Sequence, residues 1–291
     1  LEFRRVLFRS VLKNGSEGRS WNFSESLSKS TAFGLSLRGA YSYGESRTLV
    51  DPESTAATSF SRMATRANAN NPDLDFGLWS PGHRVFALAT FTKNYFNFGG
   101  TSVSMFWEAR QSVTNLTSSR LSYVFAGDMN GDSVSANDLI YIPKNTSEMN
   151  FSAFTVGTRT FSADEQANAF EKLINQDPYL SKHRGEYAGR NAAVLPMLRR
   201  MDLSFMQDIF HNVGGKRNAF QLRLDFFNFG NLLNHSWGVG WRPVAAVNNS
   251  NQVQILTNPG VDAAGRATYR LAVVNNELLR SSFARTATTG D

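Results

Sequence analysis

The sequence predicts an all-β protein: part of a large antiparallel transmembrane β-barrel with long extracellular loops and one short loop helix. Six stretches alternate apolar and polar residues with the period of a β-strand, and they form three pairs joined by only a few residues. The pairs are joined by long polar segments, from about Arg47 to Pro81 and from about Gln111 to Leu198. Short turns at one end and long loops at the other are typical of transmembrane barrels, whereas soluble sandwiches rarely have loops that long.

Composition agrees with this fold class without requiring it. The 291 residues are 41% hydrophobic and 19% charged, and no run approaches the roughly 18 apolar residues of a membrane helix. A search for long apolar runs does not detect the strands of a transmembrane barrel, because lipid-facing and lumen-facing residues alternate along them. The 23 phenylalanines suit a lipid-facing surface, although an ordinary β core would use them as well. The absence of cysteine excludes disulfides, thiolate metal sites and cysteine nucleophiles.

The charge pattern argues against a nucleic-acid partner, because the net charge of +6 is spread thinly and forms no basic stripe. Three of the arginines lie within residues 1–10, where Arg4-Arg5-Val6-Leu7-Phe8-Arg9-Ser10 resembles the translation of a common sequencing-library adapter. We therefore predict that residues 1–10 are non-native and restrict the fold analysis to residues 11–291. A signal-peptide n-region is the alternative, but no apolar h-region follows it.

The first two predicted strands form a hairpin with one apolar face. Strand one covers about Trp21 to Lys29, and Glu25 interrupts its apolar side. Strand two follows Ser30-Thr31 and alternates over some ten residues, the length that crosses a bilayer at a barrel's tilt. Its apolar face consists of Phe33, Leu35, Leu37, Tyr41 and Tyr43. The two tyrosines lie near the long loop, where an interfacial aromatic belt is expected.

Strands three and four are less regular. Strand three covers about His83 to Thr92, and its phase is ambiguous because small alanines lie between larger residues. A turn near Lys93-Asn94 leads to strand four, from about Phe96 to Glu108. The pair Gly99-Gly100 predicts a bulge or bend in this strand. The residues Thr101, Val103, Met105 and Trp107 then share one face.

The second long loop contains a predicted helix over residues 163–175, where Ser162 and Glu165 form a capping box. Strand five covers about Arg200 to Phe210, and the connection from Asn212 to Asn218 leads to strand six. Strand six alternates most clearly, with Phe220, Leu222, Leu224 and Phe226 opposite Gln221, Arg223 and Asp225. After Trp237 the sequence predicts loop, with short strands near residues 252–256 and 268–274.

Four segments resemble the Oar-like branch of the TonB-dependent outer-membrane receptors. They span about residues 120–240 and keep the order and spacing of that family. They are Gly127-Asp128-Met129-Asn130-Gly131-Asp132 with Asn137 to Pro143, Arg184 to Pro196, Asp202-Leu203 with Gln207-Asp208, and Phe226-Phe227-Asn228 with Gly230 to Asn234. The resemblance implies a 22-stranded barrel closed by an N-terminal plug, in the bacterial outer membrane. It also implies uptake or export of an extracellular substrate with energy delivered through TonB.

The resemblance sets expectations for partners and for the extent of the chain. We expect residues 11–291 to be the C-terminal portion of such a barrel, without the plug, the TonB box or the closing strand. Outer-membrane lipid would surround it, and the TonB complex would act through the missing plug. The charged residues Arg38, Arg223 and Asp225 would face the lumen, because charges are costly in lipid. The substrate is not identified by the sequence.

One loop has the spacing of a calcium site. Oxygen-bearing side chains at alternate positions wrap a hard cation, and a later carboxylate completes the shell. The predicted ligands are Asp128, Asn130, Asp132 and Asp138. The match to an EF-hand is partial, because Ser133 replaces the usual glycine and Leu139 the usual glutamate. A self-bonded turn without metal is the simpler alternative.

No catalytic arrangement is visible, and we predict that the protein is not an enzyme. The four histidines lie far apart in the sequence, and no nucleophile elbow or phosphate loop occurs. The main alternative function is a secreted or surface all-β adhesin whose long loops hold calcium and a glycan. In such a sandwich the apolar residues of strands two and six would meet in a dry core, whereas in a barrel they would face lipid.

Overall fold

The structure is a computed structural model that describes residues 15–52, 55–66, 68–95, 99–113, 118–213, 215–245 and 251–286. It is mostly antiparallel β-sheet, with 50% of residues in strands and 12% in helices. The adapter-like residues 1–10, the predicted start of strand four at Phe96, Gly214 in the last hairpin and the terminal Asp291 lie outside the described residues.

The helices are short. They are α1 (Ala56–Arg62), α2 (Ala163–Gln176) and α3 (Gly230–Leu233), with 3-10 turns at Thr146–Glu148 and Leu180–Lys182. None of the helices in the described ranges has the length and apolar character needed to cross a membrane.

The strands range from two to seventeen residues. They are β1 (Arg19–Ser30), β2 (Leu35–Thr48), β3 (Asp75–Phe76), β4 (Gly82–Tyr95), β5 (Gly99–Gln111), β6 (Arg120–Phe125), β7 (Tyr141–Ile142), β8 (Phe154–Val156), β9 (Arg159–Phe161), β10 (Glu186–Tyr187), β11 (Ala193–Val194), β12 (Met197–Val213), β13 (Lys216–Phe226), β14 (Trp241–Pro243), β15 (Gln252–Val261), β16 (Ala267–Leu271), β17 (Val273–Val274), β18 (Glu277–Leu278) and β19 (Phe283–Arg285).

The six predicted strands form one antiparallel sheet in the order β1-β2-β4-β5-β12-β13, which we call the main sheet. The short strand β3 pairs with the last residues of β2. Three short connections, between β1 and β2, β4 and β5, and β12 and β13, lie at one end of the sheet, the tight-turn end. The segments 49–81 and 112–196 leave from the opposite end, the long-connection end. The predicted rhythm of connections is therefore confirmed.

Three local predictions are wrong. Gly99 and Gly100 pair in unbroken register with both β4 and β12, so β5 has no bulge there. Phe33 lies in the turn before β2 and not on its apolar face, because the chain turns through Gly34 with φ of 97°. The last hairpin is tighter than the predicted connection from Asn212 to Asn218, since Val213 already pairs with Lys216.

Most of the second long segment folds with part of the C-terminal region into a second unit, the loop body, which comprises residues 118–195 and 251–279. Its core is a four-stranded sheet in the order β11-β6-β15-β16 packed against α2. Every residue of β6 is buried, and Val253, Ile255 and Leu256 of β15 are 0% exposed. The two short strands predicted after Trp237 are confirmed as β15 and as β16 with β17, but β15 extends to Val261, and the short strands β14, β18 and β19 were not predicted.

The predicted loop helix is confirmed as α2. The Ser162 hydroxyl accepts a hydrogen bond from the Glu165 amide at 3.1 Å, which caps the helix. The Glu165 carboxylate does not complete the box as expected but accepts from Arg159 at 2.9 Å. Phe170, Leu173 and Ile174 are fully buried in the loop body, as the helical spacing predicts.

Candidate functional site

One face of the main sheet is apolar and exposed. Residues that pair directly across an antiparallel ladder share a face, so the registers assign every side chain. The exposed large side chains on this apolar face are Trp21, Phe23, Leu27, Leu37, Tyr41, Phe91, Val103, Met105, Ile209, Phe220, Leu222, Leu224 and Phe226. Leu27 is 73% exposed and Phe220 64%. The buried core of the protein lies in the loop body instead.

Aromatic rings cluster on the apolar face near the long-connection end. The Trp21 and Tyr43 rings meet edge to face, with centroids 5.2 Å apart, and Tyr43 lies 4.4 Å from the His83 ring. The hydroxyl of Tyr41 is 2.9 Å from Nδ1 of His83. Amphipathic rings in such a band are suited to a boundary between apolar and aqueous surroundings.

The apolar face also contains polar groups near the tight-turn end, and they bond to one another. Gln207 donates to the Tyr95 hydroxyl at 2.6 Å and to the Gly100 carbonyl at 3.0 Å. The Thr101 hydroxyl donates to the Gln207 amide oxygen at 2.7 Å. These bonds leave the amide paired, which makes its position on an apolar surface tolerable.

The apolar band is inclined to the strands. On β2 it runs from Leu35 to Tyr43, and on β12 from Met201 to Ile209. Pairing across β2, β4, β5 and β12 places Met201 level with Gly39. The band begins at Tyr43 on β2 but at Met201 on β12, so over these three strand steps it shifts by four residues toward the tight-turn end. The other end of the band shifts by the same amount. Four residues along a strand are about 13 Å and three strand spacings about 14 Å, so the band makes an angle of about 40° with the ladder direction.

The opposite face of the main sheet is largely polar and contains the three predicted lumen residues. Arg38 is exposed there, and Arg223 pairs with Asp225 at 2.9 Å. Arg84 and Glu108 form a second ion pair on the same face, at 2.7 Å. The face also has apolar residues that the alternation did not explain. Phe86 and Phe106 lie side by side with ring centroids 6.2 Å apart.

The side chains of β1 depart from this division. Glu25 and Lys29 lie on the apolar face, since they pair with Tyr41 and Leu37. Glu25 was expected to interrupt the apolar face of this strand, and the register places Lys29 on the same face. Both residues are exposed on an edge strand of the main sheet.

The loop body is bonded to the long-connection end of the sheet through two adjacent buried residues. Arg190 is 3% exposed, and its guanidinium donates to the carbonyls of Thr48 and Leu49 at the end of β2. The Asn191 amide donates to Asp51 at 2.6 Å and to the Phe76 carbonyl at 3.0 Å. Its oxygen accepts from Ser122 and Asn251, so this one side chain joins both long segments and the C-terminal region.

A cation–π stack supports the same contact region. The ring of Phe76 lies between the guanidinium groups of Arg47 and Arg120, at 4.1 Å and 3.8 Å from the ring centroid. Burial lowers the pKa of Arg120 to about 10. Sequence reasoning missed these residues. Arg47, Phe76 and Arg120 are isolated residues in or beside long polar segments, and an ordinary solvated loop has the same composition.

The predicted calcium ligands lie in one compact loop, which we call the Asp128 loop (residues 128–138). The Asp128 carboxylate accepts from the amides of Gly131 at 2.7 Å and Ser133 at 2.8 Å. The side-chain oxygen of Asn130 accepts from the Asp132 amide at 2.9 Å. Asp138 accepts from the Met129 amide at 2.6 Å. Self-bonding of this kind was the alternative considered from the sequence.

Two oxygens of the Asp128 loop are buried without a hydrogen-bond partner: Oδ1 of Asn137 and Oδ1 of Asp138. Asn137 was not among the predicted ligands. Throughout the described residues, no three acidic, histidine or cysteine side chains are grouped closely enough to hold a metal.

The histidines are dispersed in the structure as in the sequence. His83 lies at the start of β4 and His211 near the end of β12, while His183 and His235 lie in connections. His183 stacks on Tyr179 at 4.2 Å, and its Nδ1 is 2.8 Å from the Tyr179 carbonyl oxygen. The buried Tyr123 hydroxyl donates to Asp177 at 2.6 Å, and burial raises the pKa of Tyr123 well above its usual value. These contacts bind parts of the loop body together.

Comparison with protein-family models, curated proteins and solved structures found no match.

Proposed function

We propose that this chain is part of the barrel of an outer-membrane receptor that moves a large extracellular substrate with energy from TonB. The observation that carries the proposal is the exposed, inclined apolar face of the main sheet. Leaving one large apolar side chain in water costs about 1.5–3 kcal/mol relative to burying it. A continuous apolar face of six strands therefore requires an apolar environment, and contiguous apolar patches of this kind mark membrane or protein contacts.

The angle between the apolar band and the strands favours lipid, rather than another protein, as the apolar environment. Strands of transmembrane barrels are tilted by about 35–45° from the membrane normal, so an apolar belt parallel to the membrane must cross them obliquely. The angle of about 40° obtained from the ladders agrees with this requirement. The aromatic cluster of Trp21, Tyr43 and His83 then lies at the interface on the side of the long connections, as an aromatic girdle would.

The remaining features fit the same proposal. The polar face with Arg38 and the Arg223–Asp225 pair would line a wet or plugged lumen. The loop body would cover the outer mouth and take part in substrate capture. The part played by TonB rests on the resemblance of the four sequence segments, which implies a plug domain that contacts the TonB complex. The substrate class stays open.

The alternative of a soluble surface adhesin is less well supported. A sandwich would bury Leu37 of β2 against Leu222 and Leu224 of β13 in one dry core. Each of the three is 44% to 50% exposed, and within the described residues no second sheet covers them.

The absence of cysteine allows a direct test by site-specific spin labelling. Cysteines placed at Leu222 and Leu224 are expected to give labels that collide with oxygen dissolved in lipid. The matched controls, cysteines at Gln221 and Arg223 on the same strand, are expected to give labels that collide with an aqueous nickel chelate. The measurement is made in outer-membrane vesicles from cells that express the protein. Equal access of the chelate to all four positions would refute the membrane assignment.

A second arm tests the receptor assignment in the full-length protein. A photo-crosslinking group at Arg38, on the polar face, is expected to capture the plug domain, whereas the same group at the neighbouring Leu37 is expected to capture lipid. If the spin labels show the expected lipid exposure but the group at Arg38 captures no other part of the same protein, the chain would be an outer-membrane barrel without a plug. That result would refute the receptor assignment and keep the membrane assignment.

A further inference from the structure

We propose that the Asp128 loop binds one Ca²⁺ ion, with Asn137 and Asp138 as its buried ligands beside Asp128 and Asp132. The proposal concerns the loop body only and does not rest on the membrane placement of the main sheet. It differs from the sequence-based hypothesis in its ligands, because Asn137 joins the set and Asn130 is not required.

The first support is the pair of buried oxygens without partners. Asn137 is 1% exposed and Asp138 2%, yet Oδ1 of each accepts no hydrogen bond. The other polar atom of each side chain contacts the loop: Asn137 Nδ2 lies 3.4 Å from Asp132, and Asp138 Oδ2 lies 2.6 Å from the Met129 amide. Both side chains are therefore directed into the loop. Buried oxygens are normally paired, so two unpaired oxygens in consecutive residues favour a cation as their partner.

The second support is the local charge. The Asp138 carboxylate is close enough to those of Asp128 and Asp132 to be repelled by them, and among the described residues none of the three forms a salt bridge. A divalent cation would offset both the burial and the repulsion.

The chemistry of the donors selects calcium. All the available donors are carboxylate, amide and backbone oxygens, which are ligands for a hard cation, and none is a nitrogen or sulfur ligand. Calcium accepts six to eight oxygens in flexible geometry, whereas magnesium demands a near-octahedral shell and keeps several waters. The carboxylates are not already grouped as a metal cage, and Asp128 and Asp132 accept backbone amides. Asp128 Oδ1 accepts two amides, so the lone pairs left for the ion are those of Asp128 Oδ2 and Asp132 Oδ1, which accept one amide each, and of the two unpaired Oδ1 atoms of Asn137 and Asp138.

The position of the loop gives the ion a structural consequence. The main chain of Asp138 contacts two other segments: its carbonyl accepts a hydrogen bond from the Phe125 amide of β6 at 2.8 Å, and Asp138 forms a β-bridge with Thr65. The Thr65 amide also bonds to the Asn137 carbonyl at 2.8 Å. Calcium held by Asn137 and Asp138 would therefore stiffen the joint between the first long segment and the loop body.

The test is calcium titration of the purified whole chain in detergent after treatment with a chelator. Isothermal calorimetry is expected to give one site with a dissociation constant of roughly 0.1–1 mM, the range of extracellular calcium modules. Asp138→Asn keeps an acceptor for the Met129 amide and is expected to weaken binding at least tenfold. Asp164→Asn, an exposed carboxylate in the first turn of α2, is the matched control and should leave binding unchanged.

A second measurement needs no variant. Calcium at 10 mM, about ten times the weaker expected dissociation constant, should slow amide hydrogen exchange at residues 129–139 at least fivefold, and the same concentration of magnesium should not. The proposal is overturned if the wild-type chain shows no saturable calcium binding, or if Asp138→Asn and Asp164→Asn bind calcium equally. Failure here would leave the spin-label result on the main sheet untouched.

Discussion

At the scale of single residues, Asn191 determines how the loop body is attached. Its side chain bonds to Asp51, Phe76, Ser122 and Asn251, which belong to four separate stretches of the chain. Its backbone has a φ of 54°, in the left-handed region that asparagine adopts more readily than most residues. Both the side chain and the backbone conformation therefore favour asparagine at this position.

Replacement of Asn191 separates these two contributions. Asn191→Gly removes four side-chain hydrogen bonds, one buried and three part-buried, and should destabilise the loop body by about 4 kcal/mol, at roughly 1 kcal/mol net for each bond. Asn191→Ala should cost about 1 kcal/mol more, because alanine is strained at positive φ. The measurement is the free energy of opening from amide hydrogen exchange in β6 and α2. A loss below about 1 kcal/mol for both variants would contradict the assigned role.

The sequence predicted the oxygen-rich Asp128 loop but not the burial of its last two residues. The composition and spacing of Asp128, Asn130 and Asp132 predicted a compact oxygen-rich loop, and such local bonding is encoded by neighbours in the sequence. Burial of Asn137 and Asp138 depends on contacts with Thr65 and Phe125, which are distant in the chain. No local pattern reports those contacts, so the unpaired oxygens could not be foreseen.

At the scale of elements, the strands with a clean period of two were predicted best. β2 and β13 alternate because one side of each is uniformly apolar. β4 was ambiguous because Ala87 and Ala89 lie on the apolar face while Phe86 and Leu88 lie on the polar face, where Phe86 packs against Phe106. β15 was underestimated because it pairs in parallel with β6, more than 120 residues earlier. Its burial is a property of the assembled sheet and not of its own sequence.

The first hairpin offers an element-scale prediction. A Cβ on Gly34 would lie 2.1 Å from the Thr92 carbonyl oxygen of β4, and its φ is 97°. Gly34→Ala must therefore move the backbone, and we expect loss of folded protein or destabilisation of more than about 3 kcal/mol. Gly39→Ala in the middle of β2 is the matched control, because its Cβ would meet the Phe86 carbonyl oxygen at an ordinary 3.7 Å.

The measurement for both glycine variants is the yield of protein that resists protease in membranes, together with its midpoint of thermal unfolding. A tolerated Gly34→Ala would show that the turn between β1 and β2 differs from the one described. A destabilising Gly39→Ala would show instead that the apolar face is more tightly covered at that point than its exposure indicates.

The whole molecule consists of two units that differ in how they treat their apolar residues. The main sheet exposes its apolar face and has no core of its own, while the loop body buries a conventional core at one end of the sheet. A soluble protein of this composition would bring the two together to cover the apolar face. Their separation is explained if lipid covers the sheet and water surrounds the loop body.

The angle of the inclined band predicts how deep individual residues of the main sheet lie in a bilayer. Gly39 and Met201 are level along the ladders, through Ala87 and Trp107, whereas Tyr43 is four residues further along β2. If the strands cross a bilayer at about 40°, spin labels on cysteines at Tyr43 and Met201 should lie at equal, shallow depth, and a label at Gly39 should lie about 10 Å deeper. Depth follows from the ratio of oxygen to nickel-chelate collision rates. Strands that are not tilted would instead place Gly39 and Met201 at equal depth with Tyr43 apart, which would remove the geometric support for a barrel.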